Sequence, residues 1–342
     1  MKKLLNTLYV TSPGAYLHKD GETVAVDIDG ATRGRAPAHL LGQIVCFGQV
    51  AVSPALMAFA SDAGITISFL TYAGKLAARV EGPQTGNVLL RRAQHEATKA
   101  NAALPTARAI VAAKIANQRA VLRRHLRDYP DVPGTTQVDV MQQRLSDAAR
   151  HALTAPDLDT LRGQEGEAAH AYWTAFAHLI RNPDPVFAFV GRNRRPPRDA
   201  VNAVLSFIYV LTALDARAAC ECHGLDPQMG FLHRDRPGRM SLALDLMEEL
   251  RAPLADRVCL SLINRRQLAP SDFRAEETGA VLLTDSGRDT VLKAFQERKR
   301  TDLRHAWLDD TISLGLIPQV QAQLLARHLR GDIDAYPAWV WG

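Results

Sequence analysis

Apolar and polar positions come in short, turn-bounded runs along residues 4–81 of the chain. The runs are rich in Val, Ile, Thr, Tyr and Phe, which favour β-strands, and they fall at residues 8–10, 23–28, 43–47, 65–71 and 76–81. Ser53 followed by Pro54 predicts one embedded helix over residues 54–62, because serine caps helix N-termini and proline suits the first helical position. The pattern predicts a β-rich N-terminal domain over residues 1–83.

The apolar spacing changes from strand-like to helical after a turn-rich segment. Residues 82–86 contain two glycines and a proline, which predicts a linker, taken as residues 84–90. Apolar positions then recur at helical spacing over residues 138–154, 161–180, 200–222, 240–250 and 290–304. The expected fold class is α+β, in which the β-rich domain is followed by a mostly α-helical catalytic and DNA-binding domain over residues 91–342.

The amino-acid composition indicates the class of protein to which the chain belongs. The chain has 342 residues, of which 47% are hydrophobic and 23% charged, as in folded globular proteins. Its longest apolar stretch, residues 200–214, is shorter than the ~20 residues that cross a bilayer, and no signal-peptide pattern opens the chain. The four cysteines form no Cys-x-x-Cys pair. We therefore expect a cytoplasmic protein without a membrane partner.

Positive charge is concentrated in two segments. The net charge is +5, and residues 88–129 hold nine Lys and Arg against two acids. A second basic run spans residues 192–198. Basic segments of this kind suit the phosphates of double-stranded DNA, although a charge run can also be an ordinary solvated face. The candidate DNA contacts are Arg91, Arg92, Arg119, Arg123, Arg192, Arg194, Arg195 and Arg239.

Three segments of the helical region carry acids or an imidazole in unusual settings. Glu165 lies between Gly163 and Gly166, and glycines inside a helix suggest close approach of a second helix or a ligand. His233 ends a glycine-punctuated turn over residues 224–233. Taken singly, Glu165 is better explained as a solvated helix-start residue and His233 as a hydrogen-bonded structural histidine. Their combination with further acids is what favours chemistry.

Asp245 and Glu248 are three residues apart on a predicted helix and share one face. Two neighbouring acids repel each other, and either a bound cation or a base such as Arg251 would relieve that repulsion. One imidazole with several carboxylates and no cysteine is a donor set for Mg²⁺ or Mn²⁺ rather than structural Zn²⁺. Such a metal can stabilise the charge that develops at a phosphodiester.

Four motifs together resemble one known family, the CRISPR-associated spacer-acquisition integrases, which are the metal-dependent DNA endonuclease subunits of the adaptation machinery. The resemblance is to the version found in type I-C systems, and it covers most of the chain. The motifs are Gly163-Gln164-Glu165-Gly166 with Tyr172, Asn202-Ala203-Val204-Leu205-Ser206 with Tyr209, Gly224-Leu225-Asp226-Pro227 with Gly230-Phe231-Leu232-His233, and Ser241 to Glu248 with Arg251.

The resemblance implies a reaction and a set of partners. It implies that Glu165, His233 and Glu248 hold Mg²⁺ or Mn²⁺, with Asp245 as a further catalytic residue. It implies that new spacer DNA enters the CRISPR array when a 3′-hydroxyl attacks a repeat phosphodiester. The substrates would be the double-stranded spacer precursor and the leader-repeat. The implied partners are a second copy of the chain, paired through the β-rich domain, and a small ferredoxin-like adaptation subunit in a heterohexamer-like complex.

Alternatives stay open at this point. A stand-alone branched-DNA nuclease of DNA repair would use the same residues with water as the nucleophile. A non-catalytic protein that only clamps DNA is the second alternative. The aromatic tail, residues 336–342, can either dock on a partner or pack inside the chain.

Overall fold

The computed structural model describes residues 5–83, 88–193 and 196–342. The chain divides into two compact units, Met1–Thr85 and Gly86–Gly342. Residues 84–87 of the predicted linker lie outside the described residues. The first helix of the second unit begins at Val88, so the linker was predicted to end too late. Leu90 of that helix is buried and packs in the second unit, whereas Val88 and Leu89 are exposed.

The first unit is built from two four-stranded sheets and one helix. The sheet orders are β1-β5-β7-β8 and β4-β3-β2-β6. Central strand β5 is buried along most of its length, since Ile44 and Cys46 join a core that also takes in Leu17, Leu56 and Ile67. The elements are β1 (Asn6–Val10), β2 (Tyr16–Asp20), β3 (Thr23–Ile28), β4 (Ala31–Pro37), β5 (Leu41–Phe47), β6 (Ala51–Val52), α1 (Pro54–Asp62), β7 (Thr66–Leu70) and β8 (Leu76–Val80).

The second unit is mostly helical, with two short hairpins. Together with the strands of the first unit, these helices confirm the α+β fold class. The helices are α2 (Val88–Ala97), α3 (Leu104–Asp128), α4 (Thr135–Thr154), α5 (Leu158–Leu179), α6 (Ala200–Cys222), α7 (Ser241–Leu250), α8 (Arg257–Asn264), α9 (Asp285–Lys299) and α10 (Ile317–Leu329). The hairpins pair β9 (Phe273–Ala275) with β10 (Val281–Leu283), and β11 (Asp302–His305) with β12 (Asp310–Ser313).

Helix α6 is the central helix of this unit. It is long and apolar enough to cross a bilayer by length and composition, yet most of it is buried inside the unit. Asp199 caps it by accepting a hydrogen bond from the backbone N–H of Asn202 at 2.7 Å. A helix that is apolar on nearly every side is typical of a core helix packed by its neighbours.

A π-helical turn, Arg251–Asp256, joins α7 to α8. Such turns are rare and often lie at functional sites. Here the turn starts three residues after Glu248, and its two ends carry a half-buried arginine, Arg251, and a buried aspartate, Asp256. The turn therefore continues directly from the helix that carries two of the predicted site residues.

Candidate metal and DNA site

Three helices bring charged side chains to one point in the second unit. Lys114 of α3 donates from Nζ to Glu165 Oε1 of α5, and its Nζ lies 2.8 Å from Glu248 Oε2 of α7. Lys114 and Glu248 are only 4% and 3% exposed, whereas the side chain of Glu165 is 27% exposed. One buried ammonium thus bridges two of the three predicted metal ligands.

The ring of His233 completes this group. Its Nδ1 lies 2.5 Å from Asp245 Oδ1, and its Nε2 lies 3.9 Å from Glu248 Oε1. Because an ionised carboxylate only accepts hydrogen bonds, Nδ1 carries the proton of this contact. In the neutral ring Nε2 then holds the free lone pair and faces Glu248, which is how metal-binding histidines are oriented by a carboxylate behind them.

Asp245 holds the loop that carries His233. It is fully buried, and it accepts hydrogen bonds from the backbone N–H groups of Phe231, Leu232 and His233 at 2.6, 3.0 and 3.1 Å. A Cβ at Gly230 would lie 2.8 Å from Asp245 Oδ2, so the loop passes too close for any larger residue. In the structure the Asp245 oxygens hold this loop and the His233 ring. The catalytic part that the sequence assigned to Asp245 stays a prediction.

Neighbouring bases keep Glu248 ionised. Burial opposes its charged form, but Arg251, Lys114 and His233 outweigh that effect and hold the pKa of Glu248 well below its usual range. Arg251 Nη1 donates to both carboxylate oxygens, at 2.9 and 3.0 Å. The repulsion expected between Asp245 and Glu248 is therefore relieved by bases and by backbone N–H groups.

The glycines beside Glu165 leave open space. A Cβ at Gly163 or Gly166 would have no atom within 4 Å among the described residues. The expected close approach of another helix is therefore wrong for this segment. The open face runs alongside the half-buried Glu165 carboxylate, which leaves room for a ligand on this side of α5.

The donor types at this point fit a hard divalent cation. Two carboxylates and the Nε2 lone pair of His233 are oxygen and nitrogen ligands of the kind that Mg²⁺ and Mn²⁺ accept. His233 Nε2 and Glu248 Oε1, which are 3.9 Å apart, would be among the atoms that hold such a cation. Across residues 5–83, 88–193 and 196–342, no group of three or more His, Cys, Asp or Glu side chains is arranged so that it could hold a metal ion. The Lys114 ammonium here holds the two carboxylates instead.

A family comparison decides what kind of protein carries this group. Residues 8–297 match the family model described as CRISPR associated protein Cas1. The chain belongs to the Cas1 family. The CRISPR-associated endonuclease Cas1 2 of Rhodospirillum rubrum is 54% identical over the whole of both chains, and the CRISPR-associated endonuclease Cas1 1 of Chlorobaculum tepidum is 47% identical, again over both full lengths.

Solved structures share the Cas1 fold. A CAS1 protein from Thermotoga maritima superposes with a TM-score of 0.79 at 23% identity, covering 96% of this chain and 97% of that one. A casposase bound to its integration product superposes with a TM-score of 0.81 at 21% identity, covering 97% and 93%. These likenesses confirm the fold. The type I-C subtype stays a prediction.

The arginines proposed as DNA contacts of this Cas1 family member have different surroundings. Arg92 and Arg123 are exposed, and Arg91 and Arg92 line a cavity of about 540 Å³. Arg119 donates to Gln142 Oε1 at 3.0 Å. Arg239 makes a long contact of 3.5 Å to the carbonyl of Arg234. Arg194 and Arg195 lie outside the described residues.

Arg192 is half-buried and bonded to α6. It donates to Asn202 Oδ1 at 2.6 Å and to Ser206 Oγ at 3.0 Å, and its guanidinium lies 5.2 Å from the ring centroid of Tyr209. These bonds anchor the basic loop to α6. The sequence-based assignment of Arg192 as a DNA contact stays a prediction.

Two interior residues that the sequence reading missed support the site. Lys114 was counted in the basic segment, although it shares the buried stripe of α3 with Val111 and Gln118. A buried lysine needs an acidic or hydrogen-bonding partner, so the position of Lys114 on the apolar stripe of α3 could have identified it as a site residue. Gln94 of α2 is also buried; its Nε2 donates to the carbonyls of Asp226 and Met229, both at 2.9 Å. Gln94 thus fixes the turn that leads to His233.

Two tyrosines and an aspartate form a buried hydrogen-bonded group next to Arg251, the base that pairs with Glu248. The hydroxyl groups of Tyr209 and Tyr172 donate to Asp256 at 2.5 and 2.8 Å. Burial raises the pKa of Asp256 despite these two hydrogen bonds. The guanidinium of Arg251 lies 4.3 Å from the Tyr209 ring centroid, so Tyr209 also supports the arginine that pairs with Glu248.

The C-terminal tail packs inside its own unit. Tyr336 and Trp339 are buried, and both hydrogen-bond the Glu249 carboxylate, through the hydroxyl at 2.5 Å and the backbone N–H at 2.6 Å. Asn117 Oδ1 accepts from the backbone N–H of Trp341 at 2.7 Å. Of the two alternatives for this tail, the structure supports intramolecular packing.

Proposed function

We propose that this Cas1 family member is the endonuclease and integrase subunit of CRISPR adaptation, and that it works with Mg²⁺ or Mn²⁺. Its full-length relatives at 54% and 47% identity are named CRISPR-associated endonucleases. The observation that carries the proposal is that Glu165 and Glu248 share the Lys114 ammonium while the Nε2 atom of His233 lies 3.9 Å from Glu248, beside an open surface. These three side chains would supply metal ligands where a phosphodiester has access.

Each residue of the group has a part in the proposed reaction. Glu165, Glu248 and His233 would hold the cation, which when bound offsets charge on the phosphate and on the departing oxygen. Asp245 keeps the lone pair of His233 Nε2 directed inward. Arg251 keeps Glu248 ionised, so that it binds as a carboxylate.

The proposed chemistry is a transesterification. The 3′-hydroxyl of the incoming DNA loses its proton and forms a bond to the repeat phosphorus, while the repeat strand's own phosphorus–oxygen bond breaks and releases a new 3′-hydroxyl. The number of phosphodiester bonds is conserved, and no covalent link to the protein is needed.

The proposed partners follow from the same assignment. They are double-stranded spacer precursor DNA, the leader-repeat, a second copy of the chain, and a small ferredoxin-like adaptation subunit in a heterohexamer-like complex. A Cas1-containing chain of a Cas6-RT-Cas1–Cas2 complex shares the fold, with a TM-score of 0.81 at 21% identity. We propose a cytoplasmic location and no membrane partner.

A joining assay tests the proposal. It combines the full chain, with and without the partner subunit, Mg²⁺ or Mn²⁺, a duplex with 3′-hydroxyl ends, and a plasmid that carries a leader and repeat. We expect joining by the unsubstituted protein and none by Glu165→Ala or His233→Ala. The matched controls are Glu167→Ala and His170→Ala, which change exposed residues of the same types on α5 and should leave joining intact.

Two results would contradict the proposal. Joining by Glu165→Ala and His233→Ala at the original rate would mean that the assigned residues are not the site. Cleavage of branched DNA without any joined product would favour the repair nuclease, in which water takes the place of the 3′-hydroxyl.

A further inference from the structure

Side chains from three helices hold the C-terminal tail. Residues 336–341 form neither helix nor strand, so their backbone groups need partners outside regular secondary structure. Glu249 of α7 and Asn117 of α3 supply such partners. Gln321 of α10 donates from Nε2 to the Tyr336 hydroxyl at 2.9 Å. We call residues 336–341 the C-terminal clasp.

Asn117 is the residue that joins the clasp to two helices at once. It is fully buried, and its Nδ2 donates to the carbonyl of Glu249 at 2.7 Å and to the carbonyl of Trp339 at 3.1 Å. Its Oδ1 accepts from the backbone N–H of Trp341 at 2.7 Å. A side-chain amide has two N–H donors and one acceptor oxygen. Asn117 therefore spends both donors and its oxygen on α7 and the clasp.

The carbonyl of Glu249 lacks its regular helical donor. In an α-helix this carbonyl would accept from the N–H of the residue four positions along, which here is Pro253 in the π-helical turn. Proline has no backbone N–H to donate. The hydrogen bond from Asn117 thus fills a place that the proline leaves open, and it ties the end of α7 to α3.

Helices α3 and α7 are therefore joined at two neighbouring places. One helical turn before Asn117, Lys114 Nζ lies 2.8 Å from Glu248 Oε2, and Glu248 directly precedes Glu249. A cation at the candidate metal site would compete with the Lys114 ammonium for this carboxylate. The second link uses a backbone carbonyl and the clasp, so it does not depend on that ion pair.

We propose that the C-terminal clasp positions Glu248 at the candidate metal site, with Asn117 and Glu249 as its positioning residues. The clasp holds α3 against α7 next to the ion pair. The Glu248 carboxylate thereby keeps its place relative to Glu165 and His233 when a cation competes with the ammonium. This inference rests on the proposed function, because it concerns the same site, and it adds that the tail sets the metal affinity.

The affinity of the full chain for Mn²⁺, measured by electron paramagnetic resonance, tests the link. Asn117→Ala should bind Mn²⁺ about 10–100-fold more weakly than the unsubstituted protein, which is the usual loss when a residue that supports a metal ligand is removed. Joining by this variant should need correspondingly more Mn²⁺ to reach its half-maximal rate.

Two controls separate positioning from a general loss of stability. Asn264→Ala also removes a bonded asparagine, one that donates to the carbonyl of Leu179 at 2.8 Å and accepts from the N–H of Arg181 at 2.7 Å. Val340→Ala shortens a 49% exposed side chain within the clasp. Both should bind Mn²⁺ as the unsubstituted protein does, and urea unfolding measures how much stability each substitution costs.

Hydrogen exchange in the unsubstituted protein tests the same coupling without a substitution. Because coupling between two sites is reciprocal, a clasp that raises the affinity for Mn²⁺ is itself stabilised by Mn²⁺ by the same factor. Backbone amides of residues 336–341 should therefore exchange about 10–100-fold more slowly at saturating Mn²⁺. Amides of the β9–β10 hairpin, residues 273–283, should exchange at an unchanged rate.

Three results would overturn the clasp. Unchanged Mn²⁺ affinity in Asn117→Ala, or unchanged exchange of the clasp amides on adding Mn²⁺, would each reject it and leave the proposed function standing as long as Glu165→Ala abolishes joining. An equal loss of affinity in Asn264→Ala would mean that the affinity follows overall stability. Absence of both Mn²⁺ binding and joining in the unsubstituted protein would reject the clasp together with the proposed function.

Discussion

Replacement of Lys114 by methionine tests whether the ammonium is the counter-ion of the candidate metal site. Methionine keeps an unbranched, flexible side chain that is slightly shorter than that of lysine, and it removes the charge. The change leaves Glu165 without its bridging partner, and it leaves Glu248 with Arg251 and the more distant His233 ring. Removing one partner from a buried ion pair costs about 3–5 kcal/mol. We expect about 3 kcal/mol, at the lower end, because the Glu165 side chain is 27% exposed and gains water.

Urea unfolding at constant pH measures this loss, first without and then with Mn²⁺. Added metal should stabilise Lys114→Met more than the unsubstituted protein, because a cation entering the variant displaces no ammonium. Mn²⁺ should also bind more tightly to the variant for the same reason, and electron paramagnetic resonance measures this affinity. The control is Lys99→Met, which removes an exposed lysine that pairs with Glu96 on the surface and should change little.

If Lys114→Met unfolds at the same urea concentration as the unsubstituted protein in the absence of metal, the ammonium is not the counter-ion of the site. If Mn²⁺ stabilises both proteins equally, the ammonium and the metal occupy independent places.

Three further predictions concern residues that support the site and the fold. Gly230→Ala should lower the free energy of unfolding by about 1–3 kcal/mol and slow joining, because the added Cβ would lie 2.8 Å from Asp245 Oδ2; urea unfolding and the joining assay measure this, and unchanged values would refute the close fit. Tyr336→Phe should cost about 1.5–3 kcal/mol in thermal or urea unfolding, because the buried Glu249 carboxylate loses a donor; a neutral result would mean that the tail is not held there. Burial lowers the pKa of His305, so its contribution to stability is present above the unfolded-state pKa of about 6.5 and is lost as the pH falls below that value. Urea unfolding midpoints measured from about pH 8 to about pH 5 should therefore fall less steeply in His305→Asn than in the unsubstituted protein.

The strands and helices with a regular apolar period were predictable from the sequence. Strand β3 and helix α1 match their predicted bounds, since each has a clear pattern or cap. Strands β2 and β4 were missed because their side chains are mostly exposed and leave no apolar alternation. The hairpin strands β9 and β10 are only three residues long, which is too short for a period to be visible.

The candidate site was predictable in its residue types but not in its connections. Glu165, His233 and Glu248 were identified through motifs, and the structure brings them together. The part played by Asp245 depends on a loop that folds back over α7, and no spacing rule reports such a contact. Lys114 was visible as a charge on an apolar stripe, but its partners come from helices far along the chain.

The π-helical turn Arg251–Asp256 makes the second unit sensitive to chain length at one point. A π turn holds one residue more than an α turn, so the extra residue widens the turn while the helices before and after it keep nearly the same facing. Glu248 lies before this turn and Arg257 after it. A single-residue deletion here would restore a regular helix and displace the carbonyl of Pro253, which accepts a hydrogen bond from Arg298. Length variation between relatives should therefore be tolerated in the hairpin loops and selected against across these six positions.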